Sequence, residues 1–312
     1  MAGIFMNKAC IFVYIQLCIV AILWRGTFVA GRFIHNDIPS LLSATLRFSL
    51  GSITFLILLS CPKIGWKKIT LQQFWPILLL GFAGVFLYHL FFFYGLQLIP
   101  ASRTALIVSL NPAMIAFLSF LIWREKITIK KNYGIALSII GAIMVLLSHT
   151  NMQDASSSII GDFAIFGCVI TWGIYTVAGK NTIKSIGALH TVAYSIFVGT
   201  ILLLIASIIS PTVSWEHFTL LTQTDILSLL YLGILGSALA YVWYYQGIDQ
   251  IGAANAGTFI ALNPLTAVIA GYLLLDETIS PSIILGSIFI VTGIILTNRP
   301  SKLSTQHHEN KV

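Results

Sequence analysis

Charge is what this sequence has least of. Asp, Glu, Lys and Arg make up 9% of its 312 residues, against 57% hydrophobic residues. A soluble domain carries roughly a quarter charged residues, so a water-soluble globule is excluded. Cysteine is scarce as well. Cys10, Cys18, Cys61 and Cys168 form no CxxC pair, which speaks against a disulfide framework or a thiolate metal site and for free thiols in apolar surroundings. HExxH, GxSxG and GxxxxGK[ST] are all missing, so the signatures of a zinc protease, a serine hydrolase and an ATP-driven machine are absent. Carboxylates are lacking at mid-depth of the apolar segments; Asp162 and Asp225 stand at segment ends. The sequence calls for no metal and no cofactor.

What it has instead is long apolar segments, near or above the ~18 residues that span a bilayer core. Turn residues and charges divide them into ten expected helices, near 10–30, 40–60, 73–95, 104–123, 132–149, 161–180, 188–210, 225–245, 255–275 and 281–298. The fold class expected is therefore an all-α polytopic membrane protein. The first apolar run is too long for a signal-peptide core and reads as an uncleaved span. When alternate connections are assigned to opposite sides, 13 of the 17 Lys and Arg residues fall on one side and two, Arg32 and Arg103, on the other. Positive charge collects on the cytoplasmic side, so both termini are expected there. The net charge of +7 is spread between apolar segments, which does not suit nucleic acid. Membrane lipid and a small solute are the expected partners; monomer and homodimer both stay open.

Two apolar segments contain the same interruption. "SLNPAMIAF" (109–117) and "ALNPLTAVI" (261–269) place Asn111-Pro112 and Asn263-Pro264 at points 152 residues apart. The same offset aligns Gly81 with Gly233, Gly84 with Gly236, Gly95 with Gly247, Glu125 with Glu277, Gly134 with Gly286 and Gly141 with Gly293. Nearer the start of each half, "WRGTFVAGR" (24–32) matches "WGIYTVAGK" (172–180) at an offset of 148. Each half then has five spans. Five is odd, so the second half is expected inverted relative to the first. The expected domains are residues 1–149, residues 150–298 and a polar cytoplasmic tail, 299–312. Inverted repeats with Pro-interrupted helices at matching points mark the midplane site of a secondary transporter. A proline inside a helix frees a carbonyl, which in a membrane must find a partner or face a wet cavity.

"LWRGTFVAGR", Arg47 within "SATLRFSL", "GLQLIPASRTALIVSLNPAMIAFLSFLIWREKIT" and "GIDQIGAANAGTFIALNPLTAVIAGYLLLDETIS" together resemble the EamA-type branch of the drug/metabolite transporter superfamily. The resemblance covers about 10–298 and both halves. It implies a ten-helix bundle of two inverted five-helix repeats around a central cavity, set in the bacterial inner membrane, moving small organic solutes and often exporting them. One departure stands out. The family has Trp-Gly in its first helix, as the second half does at Trp172-Gly173, but the first half has Trp24-Arg25.

The candidate solute-binding residues are Asn111, Asn263, Trp172, Trp243, Tyr88, His89, Trp24 and Arg25, with Pro112 and Pro264 as kinks. His89 is the one deep titratable group that could couple a proton, although a neutral interior imidazole with one satisfied N–H is the favoured explanation. Its counterpart is Tyr241. Arg25, near a span end, could snorkel to the interface, and Arg47 reads as structural, since the family often has Arg there. Both arginines favour a solute with a carboxylate or phosphate. The leading expectation is a secondary exporter of an amino-acid-like metabolite working by alternating access. A multidrug or nucleotide-type carrier is the alternative, with an intramembrane enzyme or an assembly subunit as other classes.

Overall fold

The computed structural model describes residues 8–35, 37–99, 104, 107–124, 128–147, 158–266 and 281–298. Among these residues every regular element is helical. The first half contains α1 (Lys8–Arg32), α2 (Ser40–Ser60), α3 (Leu71–Leu98), α4 (Asn111–Trp123) and α5 (Ile129–Leu147). The second contains α6 (Ile159–Ile186), α7 (Ala188–Ile209), the short α8 (Glu216–Thr219), α9 (Gln223–Ile251), α10 (Ala253–Thr258) and α11 (Pro281–Asn298). Seven of the described helices are long and apolar enough to cross a membrane: α1, α2, α3, α6, α7, α9 and α11. Phe12, Ile57, Phe163 and Ile208 are exposed on their outer faces, a surface suited to lipid. Glu125, Glu277, Arg103 and the tail 299–312 lie outside the described residues.

Local sequence explains the helix ends. α3 starts on a capping box in which Thr70 N donates to Gln73 Oε1 at 2.9 Å. The counterpart positions do the same for α9, where Thr222 N donates to Asp225 Oδ2 at 2.8 Å. Each box satisfies N–H groups that a helix start leaves open. Gly187 and Gly252 each turn one helix into the next within a single residue, both at φ +86, a left-handed conformation that a side chain disfavours. The expected connection at 246–254 is accordingly helix up to Ile251. Both α3 and α9 widen to π-helix in mid-course, at Gly81–Leu87 and Tyr231–Leu239. The sequence reading missed these segments.

The proline expectation needs correction. Pro112 does not kink a continuous helix. The chain turns at Ser109 and Leu110, and α4 begins at Asn111 with Pro112 in its first turn. The N–H that proline lacks would have had no intrahelical partner there. In the second half a 3-10 turn, Phe259–Ala261, precedes the helical stretch 262–266, whose first turn holds Pro264. Both helices are interrupted at matching points rather than bent.

Contacts between the halves recur in exchanged pairs. A Cβ added to Gly81 would lie 2.6 Å from the Ser195 carbonyl oxygen, and one added to Gly233 would lie 2.7 Å from the Arg47 carbonyl oxygen. Gly81 and Gly233 are counterparts at offset 152, Arg47 and Ser195 at offset 148. Gly84 meets Tyr175 as Gly236 meets Thr27, and Gly95 meets Ile165 as Gly247 meets Leu17. α5 and α11 cross antiparallel, with Gly134 on Gly293 and Gly141 on Gly286. Glycine at these points lets backbones approach closely, the usual basis of helix packing in lipid.

Candidate functional site

The exchanged contacts bring the middle parts of α1, α2, α3, α6 and α9 onto a buried aromatic centre. Trp24 reaches in from α1 and donates from Nε1 to the Gly236 carbonyl at 3.2 Å. Its ring meets Trp172 edge-on at 5.3 Å, Tyr244 at 5.2 Å and Tyr241 at 6.0 Å. Trp24 and Trp172 are counterparts, so the centre is built on a pair of equivalent side chains. Trp172 also packs on Tyr88 at 5.6 Å and Tyr175 at 5.5 Å. Buried His89 bonds through Nδ1 to the Val85 carbonyl at 2.7 Å and lies edge-on to Phe48 at 4.7 Å. Arg47 enters beside them. Its Nε donates to Ser237 Oγ at 2.7 Å, and its guanidinium carbon is 5.2 Å from the Phe48 ring centroid. Ser237 Oγ donates in turn to the Leu232 carbonyl five residues back at 2.9 Å, which anchors it in the π-helical turn.

Four of the expected residues therefore meet: Trp24, Trp172, Tyr88 and His89. Trp243 does not join them. It is half-buried at the edge of the core, and among the described residues it makes no ring contact. The reason is helical rotation: Tyr241, Tyr244 and Tyr245, three or four residues apart, share the inward face of α9, and Trp243 is turned aside. Tyr241, Phe48 and Ser237 were missed by the sequence reading. Tyr241 carried a signal, being the counterpart of His89.

Asn111 and Asn263 stand in the first turns of α4 and of the stretch 262–266. Asn111 is buried, and among the described residues its Oδ1 has no hydrogen-bond partner; the same is true of Asn263 Oδ1. Among the described residues Asn255 Oδ1, Asn298 Oδ1 and Ser119 Oγ are buried without partners as well. These residues belong to α4, α10, α11 and the stretch 262–266. Asn298 Nδ2 donates to Thr258 Oγ1 at 3.3 Å, tying α11 to α10. Phe259 and Ile260, at the interruption before Asn263, face Leu17, Val20, Trp24 and Tyr244 across a narrow gap. A buried amide oxygen without a donor is costly.

Arg25 points elsewhere. With Val29 of α1, Phe33 just after it, Leu227, Ser228 and Tyr231 of α9, and Thr266, it lines a cleft of about 570 Å³. Its counterpart Gly173 stands in a closed contact, where an added Cβ would be 2.7 Å from Leu118 Cδ1 and 3.0 Å from Met114 Cγ. The exchange of Gly for Arg thus coincides with a closed seam in one half and an open cleft in the other. The cleft end of the bundle is tied across the halves by Asp225, which is fully buried. It accepts from His35 N at 2.9 Å and Thr222 Oγ1 at 2.7 Å, with His35 Nδ1 at 3.0 Å. At the opposite end Lys67 Nζ donates to the Ile186 carbonyl at 2.8 Å and Trp123 Nε1 to that of Val177 at 3.0 Å.

Two matched helical halves with apolar outer faces, closing on a buried aromatic and polar centre, define a multi-pass membrane protein of the solute-transporter kind. The chain belongs to the EamA-like transporter family, which matches residues 11–147 and 159–299. It is similar to the uncharacterized transporter YetK of Bacillus subtilis (strain 168), 27% identical over 91% of this chain and 86% of that one. The uncharacterized transporter YoaV of the same organism is 28% identical over 89% and 93%. Protein PecM of Dickeya dadantii (strain 3937) is 25% identical over 90% of each chain. A solved crystal structure superposes with a TM-score of 0.75 at 20% identity, covering 91% of this chain and 96% of its own, which shows the fold. The family and the relatives' names speak for transport rather than enzymatic chemistry.

Proposed function

We propose that the protein is a secondary exporter of a small, amino-acid-like organic solute. In this reading it has ten spans, arranged as two inverted five-helix halves split near residue 150, that rock about the aromatic centre. The observation that carries the reading is the exchange of contacts: Gly81 with Ser195 where Gly233 has Arg47, and Gly134 with Gly293 where Gly141 has Gly286. Reciprocal pairs of this kind are what a two-fold relation produces, and a two-fold between halves of five spans lies in the membrane plane. The solute would sit between Trp24, Trp172, Tyr88 and His89, with Asn111 and Asn263 offering amides from the interrupted helices and Pro112 and Pro264 fixing the interruptions. Helix breaks at mid-membrane supply such sites in many carriers. The positive-charge bias puts both termini in the cytoplasm of a bacterial inner membrane. On that orientation the Arg25 cleft opens outward, toward the release side of an exporter.

The test is counterflow of labelled amino acids in proteoliposomes, with detergent melting on the same preparations. Asn111→Leu and Asn263→Leu should each fold yet lose transport. Normal counterflow in both would remove the asparagines from the site. Loss of transport that merely follows loss of melting temperature would make them interhelical glue.

A further inference from the structure

Arg47 holds a full positive charge in the centre of the bundle, and among the described residues no carboxylate pairs with it. At one end of the bundle His35 Nδ1 lies 3.0 Å from Asp225 Oδ2. Of the guanidinium nitrogens, Nε alone is hydrogen-bonded among the described residues, to Ser237 Oγ. Phe48 lies against the guanidinium, and Tyr88, Tyr241 and His89 are its electrostatic neighbours. Arg47 is half-buried, and a charge drawn that far from water is normally paired. This one keeps most of its donor fork unused.

A purely structural role is the simpler explanation, and the counterpart position weighs against it. The Arg47 carbonyl packs on Gly233 as the Ser195 carbonyl packs on Gly81. The same crossing is therefore made with a serine, whose Oγ is satisfied by the Val192 carbonyl at 2.9 Å. The counterparts of Ser237 and His89 are Val85 and Tyr241, so the polar group around Arg47 has no equivalent in the other half. The crossing does not require a cation, and the cation is an addition on one side. Its surroundings are rings: Phe48 and Tyr241 at 6.3 Å, Trp172 and Tyr241 at 5.5 Å, Tyr88 and Trp172 at 5.6 Å.

We infer that Arg47 is the anchor for the solute's carboxylate, and that the solute is a small organic acid with an apolar or aromatic body and a net negative charge. The inference rests on the aromatic centre being the solute site, and it narrows the amino-acid-like class to its acid function. A guanidinium fork grips a carboxylate through two parallel N–H bonds. An ammonium group finds no acid in the centre among the described residues. Ser237 is a positioning residue, holding the fork by Nε and leaving the terminal nitrogens unbonded among the described residues.

The purified protein in detergent is melted with phenylacetate, indoleacetate and isovalerate, each beside the amide and the amine built on the same body. At least one acid should raise the melting temperature while its amide and amine do not. Arg47→Ser installs the side chain of the counterpart position and should fold. It should weaken the acid's half-saturation about ten- to hundred-fold, the scale of lost hydrogen bonds to a charged group. Arg47→Lys, which keeps the charge and loses the fork, should fall between. Silence from all three acids, equal responses to acid and amide, or an undiminished response in folded Arg47→Ser overturns the inference. If Arg47→Ser fails to fold, the contrast between acid and amide on the unaltered protein decides alone. An acid-specific shift with no counterflow of that acid in proteoliposomes upholds the anchor and counts instead against transport through this centre.

Discussion

Ser52 and Thr200 meet hydroxyl to hydroxyl at 2.9 Å, and each is the other's counterpart, 148 positions along the chain. Residues that touch their own counterparts lie where a two-fold axis would pass, and Trp24 with Trp172 is a second such pair. The two pairs sit on different helices, α2 with α7 and α1 with α6, so one line through both runs along the interface between the halves.

The pair should be energetically coupled. Ser52→Ala and Thr200→Val, combined in a double-mutant cycle on thermal or denaturant melting, should give a coupling of ~0.6–1.7 kcal/mol, the range for hydrogen bonds between membrane helices. Thr200 Oγ1 also donates to the Phe48 carbonyl at 3.1 Å, so the Thr200 variant should cost more than the Ser52 variant. Strict additivity of the two would show that the hydroxyls do not bond in the folded protein.

Reciprocal packing predicts reciprocal sensitivity. A side chain at Gly81 would press on the Ser195 carbonyl and Val198, and one at Gly233 on the Arg47 carbonyl and Leu50; Val198 and Leu50 are themselves counterparts at offset 148. Gly81→Val and Gly233→Val should therefore destabilise by similar amounts, roughly 1–3 kcal/mol each as overpacking. Gly31→Val, where an added Cβ meets nothing, is the control. A large loss in one of the two with none in the other would break the equivalence of the halves.

Much of this is legible in the sequence. Ser40–Ser60 was bounded to the residue, because Pro39 and the polar run after Ser60 punctuate it. The offset of 152 foresaw the paired interruptions at Pro112 and Pro264. What the sequence could not convey was rotation and approach. Trp243 and Tyr244 are neighbours in the chain, yet one faces away from the aromatic centre and the other into it. The π-helical turns at Gly81–Leu87 and Tyr231–Leu239 depend on how closely α7 and α2 press against them, which no local pattern encodes. Arg47 was visible as an intramembrane cation, but the absence of a carboxylate around it among the described residues is a three-dimensional fact.

Orientation follows from the distribution of Lys and Arg. Reporter fusions after Lys68, Lys131 and Lys184 should read as cytoplasmic, and fusions near Gln153 and Thr212 as external. On this orientation the His35–Asp225 tie stands at the outer face. Reversal at any two of the five sites would defeat the ten-span arrangement.

That outer tie should matter to stability. Asp225 is fully buried and gathers bonds from His35 N, Thr222 N and Thr222 Oγ1, at 2.9, 2.8 and 2.7 Å. It caps α9 and holds the turn after α1 in the same stroke. Asp225→Ala should cost about 1.5–3 kcal/mol, the worth of hydrogen bonds to a charged group, read from melting in detergent. Gln73→Ala, at the counterpart position, removes a neutral capping bond with no tie to the other half, and should cost ~1 kcal/mol at most. Equal losses would mean that Asp225 serves only as a helix cap.

The aromatic centre itself is tested by two tryptophans that lie on different sides of the division between inside and outside. Trp172 meets Trp24, Tyr88, Tyr175, Tyr241 and Tyr244, so any solute held there must touch it or displace one of its neighbours. Trp243, half-buried at the edge of the core, has no such company. Phenylalanine keeps an aromatic face at either site while removing the indole's extra area and its N–H. Trp172→Phe should weaken half-saturation in counterflow roughly two- to ten-fold, the scale of one aromatic pair contact. Trp243→Phe should leave it unchanged, with the melting temperature of both variants recorded on the same preparations. The comparison is informative because composition and depth treat the two residues alike, and the rotation of α9 alone separates them. Impaired counterflow in Trp243→Phe with a normal Trp172→Phe would move the solute path from the centre to the rim of the bundle.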